Sequence, residues 1–425
     1  MKRSICTVAV GLILPAAVFA QDLPPEVLLL SRVRRHIREE LQRLPNISCL
    51  ETVQREHKPA RGKVQPLDTV RLEVLNNGRK ELFASPGDRK FSEQHPISYA
   101  GSGVLGNGFF GLYLQNIVGD GYSSDEYKGE ETMGGRRLAR WDYRLSVIWA
   151  QQTINLPEGS GKVGLHGSFW ADPETYDVTR LELNADDFPP ALPLTEAVTT
   201  INFSRTDVGN NVVLLPDSGE FRMVRLSGEM SHNRIEFTHC RQYGADSTIN
   251  FDEPKFSEQA GTISMDDTLR TLPAGLQIAV KLLSRISGDL PVGALIDGLV
   301  VNDVSAKGAV MIAAGSPVRG RIRRLEHYAE PFPYLVVALE FTEVELQGIW
   351  HRFYANLVDT DPLPGLTKTL SILNTTERIG LEVNRTGEDI WLPNLPGVAA
   401  FFVKGRMLDL PRGFRTIWKT RPLTP

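Results

Sequence analysis

The side chains able to do chemistry are few and scattered. Eight histidines occur, His36, His57, His95, His166, His232, His239, His327 and His351. None belongs to a His-Glu-x-x-His pair, and no Cys/His cluster has zinc spacing. A Gly-x-Ser-x-Gly nucleophile elbow is missing. No glycine fingerprint stands between a strand and a helix, the setting that dinucleotide binding requires. His166 is the best lone candidate, because it shares a strand face with Trp170, though a structural role competes with that reading. His239 and Cys240 are neighbours on one strand, so their side chains diverge and make a poor catalytic pair. Asp186 and Asp187 lie on an irregular stretch, whereas glycoside hydrolysis needs two carboxylates facing each other across a bond. Capping or solvation suits them better. Asn356 to Asp361 offers close-spaced oxygens but lacks the Gly and distal Glu of a calcium loop. Arg319, Arg321 and Arg323 alternate on one strand face, either as an anion-binding stripe or as a solvated face paired with acids. No catalytic residue, metal or cofactor is expected from these residues.

The elements that hold these groups read mostly as strands. Lys162 to Leu183 is the clearest stretch. Val163, Leu165 and Phe169 point one way, and His166 and Trp170 the other. Asp172-Pro173-Glu174-Thr175 suits a type I turn. Leu181 and Leu183 then alternate with Arg180 and Glu182. Upstream, Glu26 to Leu44 predicts a helix. Leu30, Val33, Ile37, Leu41 and Leu44 form one apolar stripe, and Pro45 stops it. Arginines dominate its other face. Interspersed acids favour a helix packed on a sheet over one lying on a membrane.

Strands are expected at Ser48–Glu56, Thr69–Leu75 and Lys80–Ala84, with Asn76-Asn77-Gly78 as a hairpin turn. Ala100 to Gly108 is glycine-rich, lacks the Gly-Lys-Ser/Thr ending of a phosphate loop and follows no clear strand, which argues against nucleotide binding. Phe109 to Val118, FFGLYLQNIV, is apolar: a short core helix or a lid over an apolar cavity. Gly119 to Gly135 reads as polar and exposed, and Leu138 to Ile148 as a strand. Strands are read again at Thr199–Arg205, Phe221–Leu226 and Arg234–Tyr243.

The segment 256–270 reads as a linker. It divides the chain into a signal segment 1–20, a first domain 21–255 and a β-rich domain 271–425. In the latter, strands are expected around Leu276–Leu283, Val292–Val304, Val318–Leu325, Tyr334–Val344, Ile379–Val383, Ala399–Val403 and Phe414–Trp418, with a helix at Leu346–Leu357.

Lys2 and Arg3, the apolar run Ile5–Val18 and the small residues before Gln21 read as a secretory signal cut after Ala20. Cys6 falls inside the apolar run, which argues against lipoprotein processing. Removing Lys2 and Arg3 from 47 basic residues leaves 45 against 51 acidic, a net charge of −6. That balance argues against nonspecific nucleic-acid binding. No later segment is apolar for long enough to cross a membrane. Cys49 and Cys240 remain, and an oxidising compartment favours one disulfide over two buried thiols.

The hairpin FWADPET…TRLEL (169–175 and 179–183) and the order helix, strands, variable loop, strands resemble the LolA/LolB and RseB lipoprotein-sorting superfamily over residues 26–250. The resemblance implies a curved, incompletely closed antiparallel sheet over helices. Its concavity would take acyl chains, a lipoprotein or a protein partner. By position alone, Phe109, Phe110, Leu112 and Leu114 would line or cover that concavity, and Trp170 joins them as a candidate contact. The whole chain is also similar to uncharacterised secreted proteins of acidobacterial type, which implies no activity. LPAG at 272–275 and AAGSPVRG at 313–320 resemble the β-barrel domain of type IV secretion channel subunits and imply β structure there. The expected protein is a mainly β (α+β), non-enzymatic, periplasmic or secreted binding protein. Rival readings are an envelope scaffold acting through its C-terminal part and a hydrolase.

Overall fold

The computed structural model describes residues 23–243, 272–366, 398 and 400–422, apart from 79, 89, 101–103, 157, 307 and 331. The expected signal, the linker and the strand Ile379–Val383 lie outside the described residues.

Helix α1 (Pro25–Arg43) has proline in its first turn, where the missing N–H costs nothing, and ends before Pro45. Val33 and Ile37, mid-stripe, are fully buried, while Leu30, Leu41 and Leu44 pack at the margin of the core. The helix lies across the concave side of a sheet built from β1 (Ile47–Lys58), β2 (Gln65–Asn76), β3 (Glu81–Ala84), β4 (Ser124–Met133), β5 (Arg136–Leu145), β6 (Gln152–Leu156), β7 (Gly159–Ala171), β8 (Val178–Asp186), β9 (Leu194–Val208), β10 (Asn211–Arg225) and β11 (Met230–Gln242). The order is β3-β2-β1-β11-β10-β9-β8-β7-β5-β4, with β6 added on β7 and every pair antiparallel. Consecutive hairpins make most of it, and β1 pairing with β11 joins the two runs. The end strands β3 and β4 do not pair with each other, so the sheet curls without closing.

Local chemistry explains the turns. Asp172 Oδ1 accepts the N–H groups of Glu174 and Thr175 at 2.8 and 3.1 Å. Asn76 Oδ1 accepts Gly78 N–H, and Gly78 takes φ +79°. Two expectations need correction. Gly119–Gly135 contains strand β4, an edge strand whose alternation is only between exposed and half-buried residues, so hydrophobic periodicity misses it. Leu346–Leu357 is not helical. Gln347 and Gly348 both take positive φ and join β18 (Tyr334–Leu346) to β19 (Ile349–Arg352) by a two-residue turn.

The Cys49–Cys240 disulfide is formed, closing a separation of 191 residues. In the chain-entropy picture a loop of that length contributes roughly 5 kcal/mol. A bulge places the second cysteine. Cys49 stands opposite two residues, His239 and Cys240, with His239 at φ +51°. The extra residue reverses the alternation read from the sequence and turns Cys240 to the side of Ile235 and Phe237.

The second sheet comprises β12 (Gln277–Leu282), β14 (Leu295–Val300), β17 (Pro317–Tyr328), β18, β19, β20 (Ala355–Thr360), β21 (Ala400–Lys404) and β23 (Arg415–Thr420). Its order is β19-β18-β17-β14-β12-β23-β20, and β21 also pairs with β18. Small ladders join β13 (Ile286–Ser287) to β22 (Asp409–Leu410) and β15 (Val304–Ala306) to β16 (Ala309–Ile312). The protein is mainly β, as expected.

The two sheets meet at the β2 edge. Beyond the stretch covered by β3, Arg71 N–H donates to Val292 O at 2.9 Å and Val292 N–H to Thr69 O at 2.8 Å. Arg321 reaches Asp88 at 2.5 Å and Gly293 O, Arg323 pairs with Glu340 and donates to Ser98 O, and Arg319 stacks on Trp350. The arginine stripe thus finds acids, carbonyls and a ring.

Candidate functional site

The inner face of the first sheet follows from strand alternation. Cys49, Glu51, Val53 and Arg55 of β1 face inward, opposite Val74, Leu72, Val70 and Asp68 of β2. Leu165, Leu183, Ala197, Phe221 and Phe237 continue the surface across β7 to β11. Residues 104–119 fill much of this hollow. Leu114–Gly119 forms one π-helical segment packed on α1, with Arg38 donating to Gly119 O. Phe109 and Phe110 both lean on the Phe237 ring, at 5.7 and 5.0 Å between centroids. Phe109 also lies over Gly219 of β10, where an added Cβ would meet the ring at an ordinary 3.5 Å and be tight only against Thr200 O, at 3.0 Å.

Glu81 of β3 fastens this plug. Its carboxylate accepts Phe110 N–H at 2.8 Å and Gly108 N–H. Asn233 Nδ2 holds Val104 O at 2.7 Å. Burial raises the Glu81 pKa, and the two N–H bonds oppose that rise. Glu51 is 3% exposed, and burial first, Glu81 second, push its pKa up to about 8. Burial likewise pushes the Tyr113 hydroxyl well up, with Glu81 adding to it.

Beside the plug is a cavity of about 80 Å³, lined by Leu105, Phe109, Tyr113, Leu165, Leu183 and Phe221 among others, with His95, Asn107 and Gln152 as polar members. Burial lowers the His95 pKa and so favours its neutral imidazole. A cavity of this size holds a few waters, whereas small-molecule pockets run from roughly 300 to 1,000 Å³. Phe109 and Tyr113 are walls of this cavity, so an occupant larger than a few atoms requires the plug to move.

The structure brings only part of the sequence-expected set together. Phe109 lines the cavity, Phe110 is buried on Phe237 and Leu114 is buried against the core. Leu112 points outward, 52% exposed. Trp170 is on the convex face, where its Nε1 donates to Glu131 at 3.0 Å and Arg140 and Arg180 lie over its ring. The alternation that puts Leu165 inside puts Trp170 outside. His166 shares that outer face and pairs with Asp186 at 2.8 Å, away from the cavity. Glu51 and Glu81 escaped sequence reading, since each is one acid in an ordinary strand. An acid at an inward-facing position of β1 was the available signal.

A second cleft, of about 370 Å³, lies between the sheets and is lined by Arg55, Asp68, Arg234, Asp289 and His327 among others. Arg55 donates to Asp68 through two nitrogens at 2.6 and 2.5 Å, and Arg324 binds Glu326 in the same forked way at 2.9 and 2.7 Å. Burial works to lower the Arg55 pKa, but Asp68 raises it further and keeps the guanidinium charged. Burial raises Asp68 against the pull of Arg55; the forked geometry favours the ionised pair. Among the described residues no group of three metal-ligating side chains occurs, and no helix is long and apolar enough to cross a membrane.

The first sheet and its contents thus define an antiparallel half-barrel with a plugged apolar hollow. No family model and no curated protein matches the chain. Among solved structures it is similar to a DUF1329 family protein from Desulfovibrio piger, at 12% identity and TM-score 0.28, covering 51% of this chain and 95% of that one. It is also similar to a putative outer membrane lipoprotein-sorting protein domain from Vibrio parahaemolyticus, at 11% identity and TM-score 0.27, covering 52% and 93%. A LolA superfamily protein from Nitrosomonas europaea follows at 10% identity and TM-score 0.23, covering 51% and 94%. The half-barrel assignment is read from the strand pairing.

Proposed function

We propose that the first unit, residues 21–255, is a non-enzymatic binding module of the cell envelope that takes an apolar chain into its hollow. The carrying observation is the plug. Two phenylalanines and a tyrosine occupy an inward-facing apolar surface, yet among the described residues the polar ties that hold residues 104–110 there are two N–H bonds to Glu81 and one amide contact from Asn233. Displacing Phe109 and Phe110 would open the small cavity into a groove lined by β7 to β11. The ligand is a lipid acyl chain or an acylated protein, and Leu112 at the outer surface of the plug is the first contact. Residues 271–425 are read as a separate β-rich domain that closes the β2 edge. Native mass spectrometry of the protein expressed with its signal tests this. Co-purifying lipid is the expected result. Its absence, together with no uptake of a fluorescent acyl chain and no response to Phe109→Trp, rejects the ligand.

A further inference from the structure

The acids of the hollow bear on which ligand fits. Glu51 and Glu81 both point inward, on strands β1 and β3. Glu51 is flanked across the sheet by Leu72 and Phe237. Among the described residues no hydrogen-bond donor or cation reaches its carboxyl, although the residue is 3% exposed. The inward-facing Arg55 on the same strand is forked onto Asp68. Glu81 spends its oxygens on Gly108 and Phe110, which leave when the plug moves. Phe110, whose N–H is held by Glu81, leans on Phe237, the cross-strand neighbour of Glu51. An open hollow would therefore present two carboxyl groups on its β1–β3 side, and among the described residues no basic side chain is paired with either.

We propose that the preferred ligand is a cationic amphiphile, an alkyl chain ending in an ammonium group, with the chain in the apolar hollow and the ammonium between Glu51 and Glu81. This rests on the reading above that the hollow admits an apolar chain. Anionic headgroups are disfavoured there by repulsion, and neutral ones leave the acids unanswered. In the closed protein Glu51 carries its proton at pH 7, because burial and Glu81 both disfavour its charge. An ammonium beside it reverses that preference. Binding then ionises Glu51, the proton goes to solvent and the ammonium keeps its own.

Isothermal titration of the full chain with dodecylammonium, dodecanol and dodecanoate, each at pH 7 in two buffers of different ionisation enthalpy, tests this. The amine is expected to bind at least about tenfold more tightly than the alcohol, a difference of about 1.4 kcal/mol, and to release about one proton per ligand. Dodecanoate should bind most weakly. Glu51→Gln should abolish the proton release and narrow the preference. If that variant does not fold, the buffer dependence of the unaltered protein decides alone. Equal binding of all three without proton release overturns the cationic ligand and leaves the apolar hollow standing. Binding of none overturns both.

Discussion

Four residues apart on one face of β1, Glu51 and Arg55 are buried under different terms. Arg55 meets an acid in forked geometry, and Arg324 and Glu326 repeat the arrangement nearby. Each charge there has a counter-charge. Glu51 has a second acid instead, and among the described residues no cation pairs with it. Burial of charge is common to both ends of the strand. The end against the second sheet resolves it structurally, by pairing. The end under the plug leaves it unresolved in the closed state. That contrast, more than burial or pKa alone, separates a joint from a site.

The largest expected effect sharpens the contrast through pH. A carboxyl whose pKa rises on folding contributes stability that is fully present below its unfolded value of 4.5 and is lost as pH climbs to about 8. The cost of Glu51 should therefore grow between pH 4.5 and 8 and level off above, reaching about 4–5 kcal/mol. Urea midpoints measured from pH 4 to 9 should show Glu51→Gln gaining on the unaltered protein across that window. Parallel curves would break the comparison.

At the other end, Arg55→Ala should cost about 3–5 kcal/mol by stranding Asp68, while Arg55→Met with Asp68→Leu should recover most of it. Denaturation of the single and double variants measures both. Glu81→Ala should cost about 1–3 kcal/mol and speed amide exchange at Gly108 and Phe110 before anywhere else in the hollow. Asp88→Ala is the mildest. Its carboxylate is 46% exposed, so losing the contact to Arg321 should cost less than about 1 kcal/mol.

Much of this architecture could be read from residues. The helix stripe, the Asp-Pro turn, the Asn-Gly hairpin and the inward set Val163, Leu165 and Phe169 all obey local rules. Strand β4 was hidden because an edge strand with two wet faces carries no apolar alternation. The Gln347-Gly348 turn was missed because helical spacing can be found in two short strands taken together. For the site, Phe109 was legible as an apolar residue after a glycine run. Trp170 shares the parity of His166, and the structure places both on the outer face. Glu51 was marked in the sequence only by its inward parity on β1, while its neighbours, Glu81 of β3 and the plug, are brought there by tertiary packing. The placing of Cys240 rests on a bulge, one residue that strand alternation does not count.

The backbone contact between Thr69–Arg71 and Val292 has a practical corollary. A strand flank with free amides and carbonyls is sticky toward any other extended chain. Val292 covers that flank from within the same polypeptide. A fragment stopped near residue 255 would bare it beside Leu67 and Val70, and such a fragment should self-associate or precipitate where the intact chain stays dispersed.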